Sequence, residues 1–373
     1  MLRSLLSFVA LSALISSPLV TAAPARHGVR DWNGWDGGYC TPDKIKTRYD
    51  FNSLSPEQRK AYTDAVKCLQ SQPSNLDPVQ YPAAVNKYMD YAVIHVNRTQ
   101  YVHLDAFFLT WHRYFLWLYE NDLKETCGYC GPFPYWDFAL TASDPHAFPI
   151  FDGSEYSMSG DGLYNNTGPI ALGPTLVIPH GTGGGCVTTG PFANQIAPLK
   201  FIDPSNLLTG SLPPGAFDYN DICLMRDLNA YVSQTYTNQA QVIAATHANN
   251  ASTLEFLLNG VIGSSSLGIH SGAHFSVGGQ MNSIHVSAQD PVWYPLHTMI
   301  DRVYWSWQIN NPEVADQLDG STGTALNTPP SPVVTLDSVE PDWGYFQLSP
   351  IQVKDLISTT GGPFCYQYDS VIA

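Results

Sequence analysis

Charged residues are few in this chain, and basic ones are the scarcest. Lysine and arginine number 17 among 373 residues, against 32 aspartates and glutamates, and the four types together make up 13% of the sequence. The net charge of −15 disfavours binding to nucleic acids and to anionic membranes, since both require a basic surface. Beyond position 23, no apolar run approaches the length of about 18 that a membrane span needs. The composition instead predicts a soluble protein with a large core and many irregular loops.

The start of the chain, positions 1–23, has the pattern of an export signal. Arg3 gives a positive start, residues 5–20 are mostly apolar, and small residues precede a cleavage point at about residue 22. Serine and proline interrupt the apolar stretch, which disfavours an uncleaved membrane anchor. We therefore expect a secreted protein whose residues 24–373 form one domain, as a monomer or a weak homo-oligomer. Three Asn-x-Ser/Thr sequons are glycosylation acceptors in such a protein: Asn97, Asn165 and Asn250.

Only one CxxC motif is present, formed by Cys127 and Cys130, and the lack of a second one disfavours a structural zinc site. An exported chain instead favours disulfides. Cys186 and Cys223 flank a long irregular segment and are predicted to pair. Two further bridges are expected among Cys40, Cys68, Cys127 and Cys365. Cys130 is then the odd thiol of the seven cysteines.

Six of the eleven histidines form two groups, one in the first third of the chain and one in the last third. The first group is His95, His103 and His112, and the second is His270, His274 and His297. Three imidazoles in each group make a ligand set for a pair of transition-metal ions, although imidazole suits copper, zinc, iron and nickel alike. The other histidines are isolated in the sequence and are predicted to be structural: His27, His146, His180, His247 and His285.

The spacing within the groups predicts how they meet. His270 and His274 stand four residues apart, so both rings lie on one face of a helix. His103 and His112 are nine apart and would lie on opposite faces of a helix, so His103 is expected in the loop before it. His95 then completes the first group from the end of the preceding helix. Two antiparallel helix pairs, each directing three ligands to a common centre, are a known way for bundles to hold two metals.

The apolar periodicity predicts a mainly α-helical fold with long loops and a few short strands. Ser55 as N-cap and Pro56 as first residue open one helix. Helices are predicted over 58–69, 81–95, 104–122, 251–258 and 296–308. Residues 140–220 are predicted to be loop with a few short strands, and residues 333–368 to include a strand or two.

Two residues near the histidines have more than one interpretation. Phe108 lies one turn before His112 and belongs either to the core alone or against the ligand rings. Asp301 lies one turn after His297, where it either fixes a ring tautomer or helix end, or forms an ion pair with Arg302 or another partner.

Three segments resemble the tyrosinase family of type-3 copper proteins, in particular its short secreted ascomycete members. They are FLTWHRYFLWLYE, CGYCGPFPYWDFAL and DPVWYPLHTMIDRVYWSWQ. The resemblance implies a helical bundle around a dinuclear site, in which each histidine group binds one copper ion. It further implies oxidation of phenols or catechols to o-quinones with O2. Tyr366-Gln367-Tyr368 is similar to the tyrosine motif that closes the family's catalytic domain, and we expect no C-terminal shielding domain.

The sequence departs from the family at three positions near the ligands. Tyr101 stands where many fungal relatives have a cysteine cross-linked to the second ligand. Leu296 precedes His297 where the family usually has a second histidine. Trp293 matches the family's gate aromatic, which is often phenylalanine.

Two further departures concern phenol hydroxylation, the monooxygenase activity of the family. The residue after His270, linked to this activity, is Ser271 rather than Asn or Asp. Glu255 is the candidate for the acidic residue that holds a water, but it lies further before His270 than usual. These changes leave the ligand set whole and disfavour hydroxylation of monophenols.

The resemblance leaves more than one function open. A secreted dicopper oxidase of catechols, phenols or aminophenols, acting in fungal secondary metabolism, is the first hypothesis. The alternative is a zinc-dependent cyclopenase-like lyase on the same scaffold, of the kind found in quinolone alkaloid pathways, in which the metal acts as a Lewis acid. An oxygen carrier of the hemocyanin type is a third. Three imidazoles accept copper and zinc alike, so the sequence does not choose between the metals.

Overall fold

A computed structural model describes residues 40–260, 266–346 and 348–373. The export signal predicted at positions 1–23 lies outside these residues. The described part contains eight α-helices: α1 (Pro56–Ser71), α2 (Lys87–Arg98), α3 (Phe108–Cys127), α4 (Ala230–Tyr236), α5 (Gln239–Thr246), α6 (Ala251–Asn259), α7 (Gly268–Val277) and α8 (Trp293–Asn310). None of them is long and apolar enough to cross a membrane. The mainly helical fold predicted from the sequence is confirmed.

The start of α1 follows the predicted capping signal. The hydroxyl of Ser55 accepts a hydrogen bond from the Gln58 backbone N–H, and the Gln58 side chain accepts one from the Ser55 N–H. This reciprocal arrangement satisfies two of the N–H groups that a helix start leaves unpaired. The start of α2 lies at Lys87 and not at residue 81, because the side chain of Asn86 caps it by accepting from the Met89 N–H.

The strands are short, as predicted, and form three small sheets. They are β1 (Lys46–Asp50), β2 (Pro134–Tyr135), β3 (Gly162–Tyr164), β4 (Ile170–Leu172), β5 (Leu176–Ile178), β6 (Gly184–Val187) and β7 (Tyr366–Tyr368). β1 lies between β2 and β7, parallel to both. β3 pairs with β6 and β4 with β5, both antiparallel, inside the predicted loop region. The strands β1 and β2 and the two short helices α4 and α5 were not predicted.

One continuous cluster of buried hydrophobic residues runs from Phe51 to Ile372 in the described part. Within it, α3 packs against α8 and α1, and α7 packs against α6 and α4. Helices from both histidine groups are therefore held by the same core, which places the two groups side by side.

Asp301 is the centre of a buried ionic cluster. Its carboxylate accepts hydrogen bonds from Arg113 Nε at 2.6 Å, from Arg48 at 3.2 Å, and from the hydroxyls of Tyr366 and Tyr368 at 2.5 and 2.6 Å. Burial alone would raise the pKa of Asp301, but Arg113 and Arg48 outweigh it and the pKa is lowered. Asp301 is thus paired with arginines, which is the second of its two interpretations.

Arg302, the partner named for Asp301 from the sequence, instead pairs with Asp137 at 2.8 Å. The reason is geometric: residues 301 and 302 point in different directions from α8. The pairing of the tyrosine motif with Asp301 joins β7 to α8, and the Arg113 contact joins α3 to α8.

The predicted Cys186–Cys223 pair is confirmed, as are two further bridges among Cys40, Cys68, Cys127 and Cys365, whose pairing the sequence left open. The bridges are Cys40–Cys365, Cys68–Cys127 and Cys186–Cys223, and Cys130 is free and exposed. Two of these bridges tie the start of the described chain to its end and α1 to the end of α3.

We expect Asp301→Asn to destabilise the protein by about 3–5 kcal/mol, because Arg113 would be left buried without a carboxylate partner. Urea unfolding followed by circular dichroism measures this. The matched control is Asp64→Asn, which breaks the exposed Lys60–Asp64 pair and should leave the unfolding midpoint almost unchanged. Equal midpoints for the two variants would contradict the structural role of the cluster.

Candidate metal centre

All six histidines predicted as ligands are brought together in two triads. The candidate ligand nitrogens of His95, His103 and His112 lie within 4.8 Å of one another, and the same is true of His270, His274 and His297. Every one of these side chains is buried, with at most 7% exposure. Among the described residues, no other group of histidine, cysteine or carboxylate side chains is arranged in this way.

The first triad is built by α2, α3 and the segment between them. His95 lies in the third turn of α2 and His112 in the second turn of α3, while His103 lies before α3 begins. This is the placement that the nine-residue spacing predicted. The ring centres of the three imidazoles are 4.8 to 5.8 Å apart.

The second triad is built by α7 and α8. His270 and His274 occupy one face of α7, as their four-residue spacing predicted, and His297 lies in the second turn of α8. The three Nε2 atoms face one another: His270 to His274 is 3.1 Å, His274 to His297 is 3.1 Å, and His270 to His297 is 3.3 Å.

The protein fixes which ring nitrogen carries the proton. Four of the Nδ1 atoms lie 2.7 to 3.1 Å from backbone carbonyl oxygens: those of His95, His103, His112 and His274, which meet the carbonyls of His285, Thr99, Phe108 and Met281. A carbonyl oxygen only accepts hydrogen bonds, so each of these Nδ1 atoms must carry the proton. In a neutral imidazole the Nε2 atom then presents its lone pair to the centre of the triad.

Burial keeps the rings neutral. It lowers the pKa of all six imidazoles, to about 3 for His112 and about 4 for His274. Lone pairs that face one another at such short range repel unless a cation lies between them. The Nε2 atoms of His95 and His112 are buried and have no hydrogen-bond partner, as expected of atoms reserved for a metal.

The spacing of the second triad also fits a metal ion. Three nitrogens bound at about 2.0–2.1 Å in a tetrahedral arrangement lie about 3.3–3.4 Å from one another. The observed Nε2 separations of 3.1 to 3.3 Å are close to this value. The two triads therefore fit two transition-metal ions, one each.

His297 is oriented differently from the other ligands. Its Nδ1 atom is buried and has no partner among the described residues. Its ring instead packs against Trp293, with ring centres 3.8 Å apart, and against His112, at 4.8 Å. Trp293 is fully buried, so the structure gives it a packing contact with a ligand and not an exposed position at an entrance. Its assignment as the gate aromatic stays a prediction.

Phe108 lies against ligands of both triads. Its ring centre is 4.9 Å from that of His112 and 4.9 Å from that of His270. The interpretation that Phe108 contacts the ligand rings is confirmed. Tyr101, which stands in the position of the family's cross-linked cysteine, is 38% exposed.

Ser271 and Glu255, the candidates for holding a water, both contact Asn259. The Ser271 hydroxyl donates to the Asn259 carbonyl at 3.4 Å, and the Glu255 carboxylate accepts from the Asn259 side-chain amide at 2.8 Å. The amide oxygen of Asn259 in turn lies 2.8 Å from His270 Nδ1. Both candidates thus lie on the Nδ1 side of His270, through their contacts with Asn259. Their role in positioning water stays a prediction.

Sequence analysis missed Asn259 and the backbone carbonyls that orient the ligands. A carbonyl oxygen is common to every residue and gives no signal in a sequence. Asn259 gave none either, since it ends α6 and the ligand that it contacts belongs to α7. His285 was predicted to be structural, and its part in the site is indeed its backbone carbonyl.

Replacing His112 or His274 by alanine should remove about one metal ion per chain, because each triad would keep only two ligands. Metal content after purification, measured by inductively coupled plasma mass spectrometry, tests this. The control is His247→Ala, since His247 is exposed and remote from both triads, and it should keep both ions. Full metal content in either ligand variant would show that the triads are not the binding sites.

Comparison with known proteins agrees with this geometry. Residues 85–310 match the family model described as the common central domain of tyrosinase, which covers more than half of the chain. The chain is 37% identical to Tyrosinase P of Aspergillus terreus over 87% of its own length and 92% of that protein. It is 32% identical to the N-acetyl-6-hydroxytryptophan oxidase ivoB of Emericella nidulans, over 88% of its length and 94% of that protein.

A solved structure is also similar. The polyphenol oxidase of Thermothelomyces thermophila superimposes with a TM-score of 0.79 at 34% identity, covering 89% of this chain and 90% of that one. The two triads, the oriented imidazoles and these matches lead to one conclusion. The chain belongs to the tyrosinase family, the type-3 copper proteins.

Proposed function

We propose that this protein is a copper-dependent oxidase that converts catechols or related aminophenols to o-quinones with O2. The observation that supports this most is the contact between the triads: the rings of His112 and His297 stack at 4.8 Å, so the two metal sites are adjacent. Adjacent metal ions are able to share one small molecule such as O2. In the reaction, two catechols each lose two electrons and two protons, and one O2 is reduced to two waters.

A copper pair supplies the redox chemistry and the binding of O2. The chain's own residues provide the geometry and the exclusion of water. Carbonyl oxygens hold the ligand rings in place before any metal binds, and Phe108 and Trp293 cover the ligands with apolar surface. Burial of the ligands limits the access of bulk water, which favours oxidation of the bound ring over side reactions.

The relatives' names support an aromatic substrate that carries a hydroxyl group. One related protein is named as an oxidase of N-acetyl-6-hydroxytryptophan, a hydroxylated indole, and another as Tyrosinase P. We infer that the substrate of this chain is an o-diphenol, an aminophenol or a similar electron-rich ring from fungal secondary metabolism.

The same ligand set accepts zinc, and a zinc-dependent lyase is the alternative. The donor atoms of the two triads do not separate the metals. The relatives named above are described as tyrosinase and oxidase, and this supports copper.

We further propose that the protein is exported and glycosylated. Three disulfides are typical of chains that fold in an oxidising compartment. Of the three sequons, Asn165 is exposed, whereas the Asn97 side chain donates a hydrogen bond to the Tyr81 hydroxyl.

Metal analysis together with O2 uptake tests the oxidase proposal. We expect the purified protein to hold two copper ions per chain and to consume O2 with 4-tert-butylcatechol, while zinc-loaded protein consumes none. A copper-loaded protein that consumes no O2 with any phenol would contradict the proposal and point to the zinc lyase.

We expect catechol oxidation to exceed monophenol hydroxylation by at least tenfold, a barrier difference of about 1.4 kcal/mol. In the family, a water held by Asn and Glu near the second triad is thought to deprotonate the monophenol. Here Ser271 replaces the Asn, and the Ser271 hydroxyl and the Glu255 carboxylate are each hydrogen-bonded to Asn259, an arrangement that disfavours their holding that water. Initial rates of O2 uptake with dopamine and with tyramine measure the ratio, and comparable rates would refute this expectation.

A further inference from the structure

We propose that Glu255 and Asn259 form a relay that positions His270 for metal binding. This inference rests on the metal site of the proposed function, but not on the identity of the substrate or on oxidase activity. It gives Glu255 a role distinct from holding a water: Glu255 acts on a ligand, through Asn259.

The relay is made by the end of α6 and the start of α7. Glu255 and Asn259 are four residues apart on α6, so their side chains lie on one face of that helix. The Asn259 amide nitrogen donates to Glu255 Oε2 at 2.8 Å, and the Asn259 amide oxygen lies 2.8 Å from His270 Nδ1. Both distances are those of good hydrogen bonds.

Which end of the Asn259 amide faces His270 follows from which groups donate hydrogen bonds and which accept them. A side-chain amide has a donating end and an accepting end, and a carboxylate only accepts. Glu255 therefore attracts the N–H end of Asn259, and the amide oxygen is left for His270. That oxygen requires a proton on His270 Nδ1, which leaves the Nε2 lone pair for the metal.

Without Glu255 the amide is free to turn over and to offer its N–H to His270 Nδ1. The imidazole proton would then move to Nε2, which lies 3.1 Å from His274 Nε2 and 3.3 Å from His297 Nε2. A proton at that position occupies the space between the three nitrogens and blocks the metal. Glu255 thus selects the tautomer that binds.

His270 is the one ligand that depends on a side chain for its tautomer. Four other ligands donate to backbone carbonyls, which are unable to turn, and His297 is held by ring stacking. The second triad is therefore the one whose metal affinity is sensitive to residues outside the ligand set.

The protonation state of Glu255 does not break the relay. Burial, together with the nearby carboxylates of Asp319 and Asp105, raises the pKa of Glu255 well above its usual range. A neutral carboxyl still accepts the Asn259 N–H through its carbonyl oxygen. The same reasoning indicates that a glutamine at position 255 preserves the relay, since its amide oxygen accepts in the same way.

The experiment compares four variants of the full chain by their copper stoichiometry and by competition with a chelator. Asn259→Leu and Glu255→Leu remove the relay, and Glu255→Gln keeps it. Asn310→Leu is the matched control, since the Asn310 amide is also hydrogen-bonded, in its case to two backbone carbonyls, and has no hydrogen bond to a ligand. Circular dichroism and the thermal midpoint of the metal-free form show whether each variant folds.

We expect the two relay-breaking variants to bind one copper ion with unchanged affinity and the other about tenfold to hundredfold more weakly, the usual effect of losing an outer-shell partner of a metal-bound histidine. Glu255→Gln and Asn310→Leu should keep both ions at the affinity of the unaltered protein. If Asn259→Leu fails to fold, the Glu255 pair decides the question on its own.

The relay would be overturned if Glu255→Leu kept both ions at full affinity, or if Glu255→Gln lost copper as severely as Glu255→Leu. The first result would mean that Asn259 needs no orientation, and the second that the charge of Glu255 matters instead. Absence of oxidase activity in a protein that binds two copper ions would contradict the proposed function, but it would not contradict the relay proposal.

Discussion

The ion pair between Arg113 and Asp301 is the contact on which the metal centre depends. Arg113 is the residue after His112, and Asp301 lies one turn beyond His297. The pair therefore joins α3 to α8 next to one ligand from each triad. Because both charges are buried, the contact has one well-defined geometry and little freedom to slide. The separation of the two triads is in this way set by a salt bridge outside them.

Around this contact, hydrogen bonds to backbone carbonyl oxygens fix the orientation of most of the ligand rings. Four imidazoles donate to carbonyl oxygens whose positions are fixed by helices and by buried loops. The centre is consequently formed by folding itself, and little has to rearrange when a metal arrives. His270 and His297 are the exceptions, one held by Asn259 and the other by Trp293.

The sequence predicted the features of the fold and the metal centre that depend on local spacing, and it did not predict those that depend on contacts between distant residues. The spacings within the histidine groups predicted which ligands share a helix, because helical periodicity is local. Ser55 and Pro56 predicted the start of α1 for the same reason. The short helices α4 and α5 escaped prediction, since seven or eight residues give too few turns for an apolar period to show.

Contacts between distant parts of the chain were the least predictable. The sequence left open whether Asp301 fixes a ligand ring or helix end, or pairs with Arg302 or another partner; in the structure it pairs with Arg113, 188 residues away. Trp293 aligned with a gate residue and is found buried behind a ligand. Asn259 had no local pattern to mark it, because its significance comes from the packing of α6 against α7.

The placement of β1 and β7 side by side has a consequence for the order of events in biosynthesis. Arg48 lies in β1 and Tyr368 in β7, so the cluster around Asp301 draws on segments from opposite ends of the described chain. Contacts of such long range form late, after the intervening chain has been made. The first triad is synthesised early, but the cluster around Asp301 is complete only after Tyr366 and Tyr368 of β7 have been made. The fully stabilised centre is therefore available to a metal ion only after residues 48–368 have all been made.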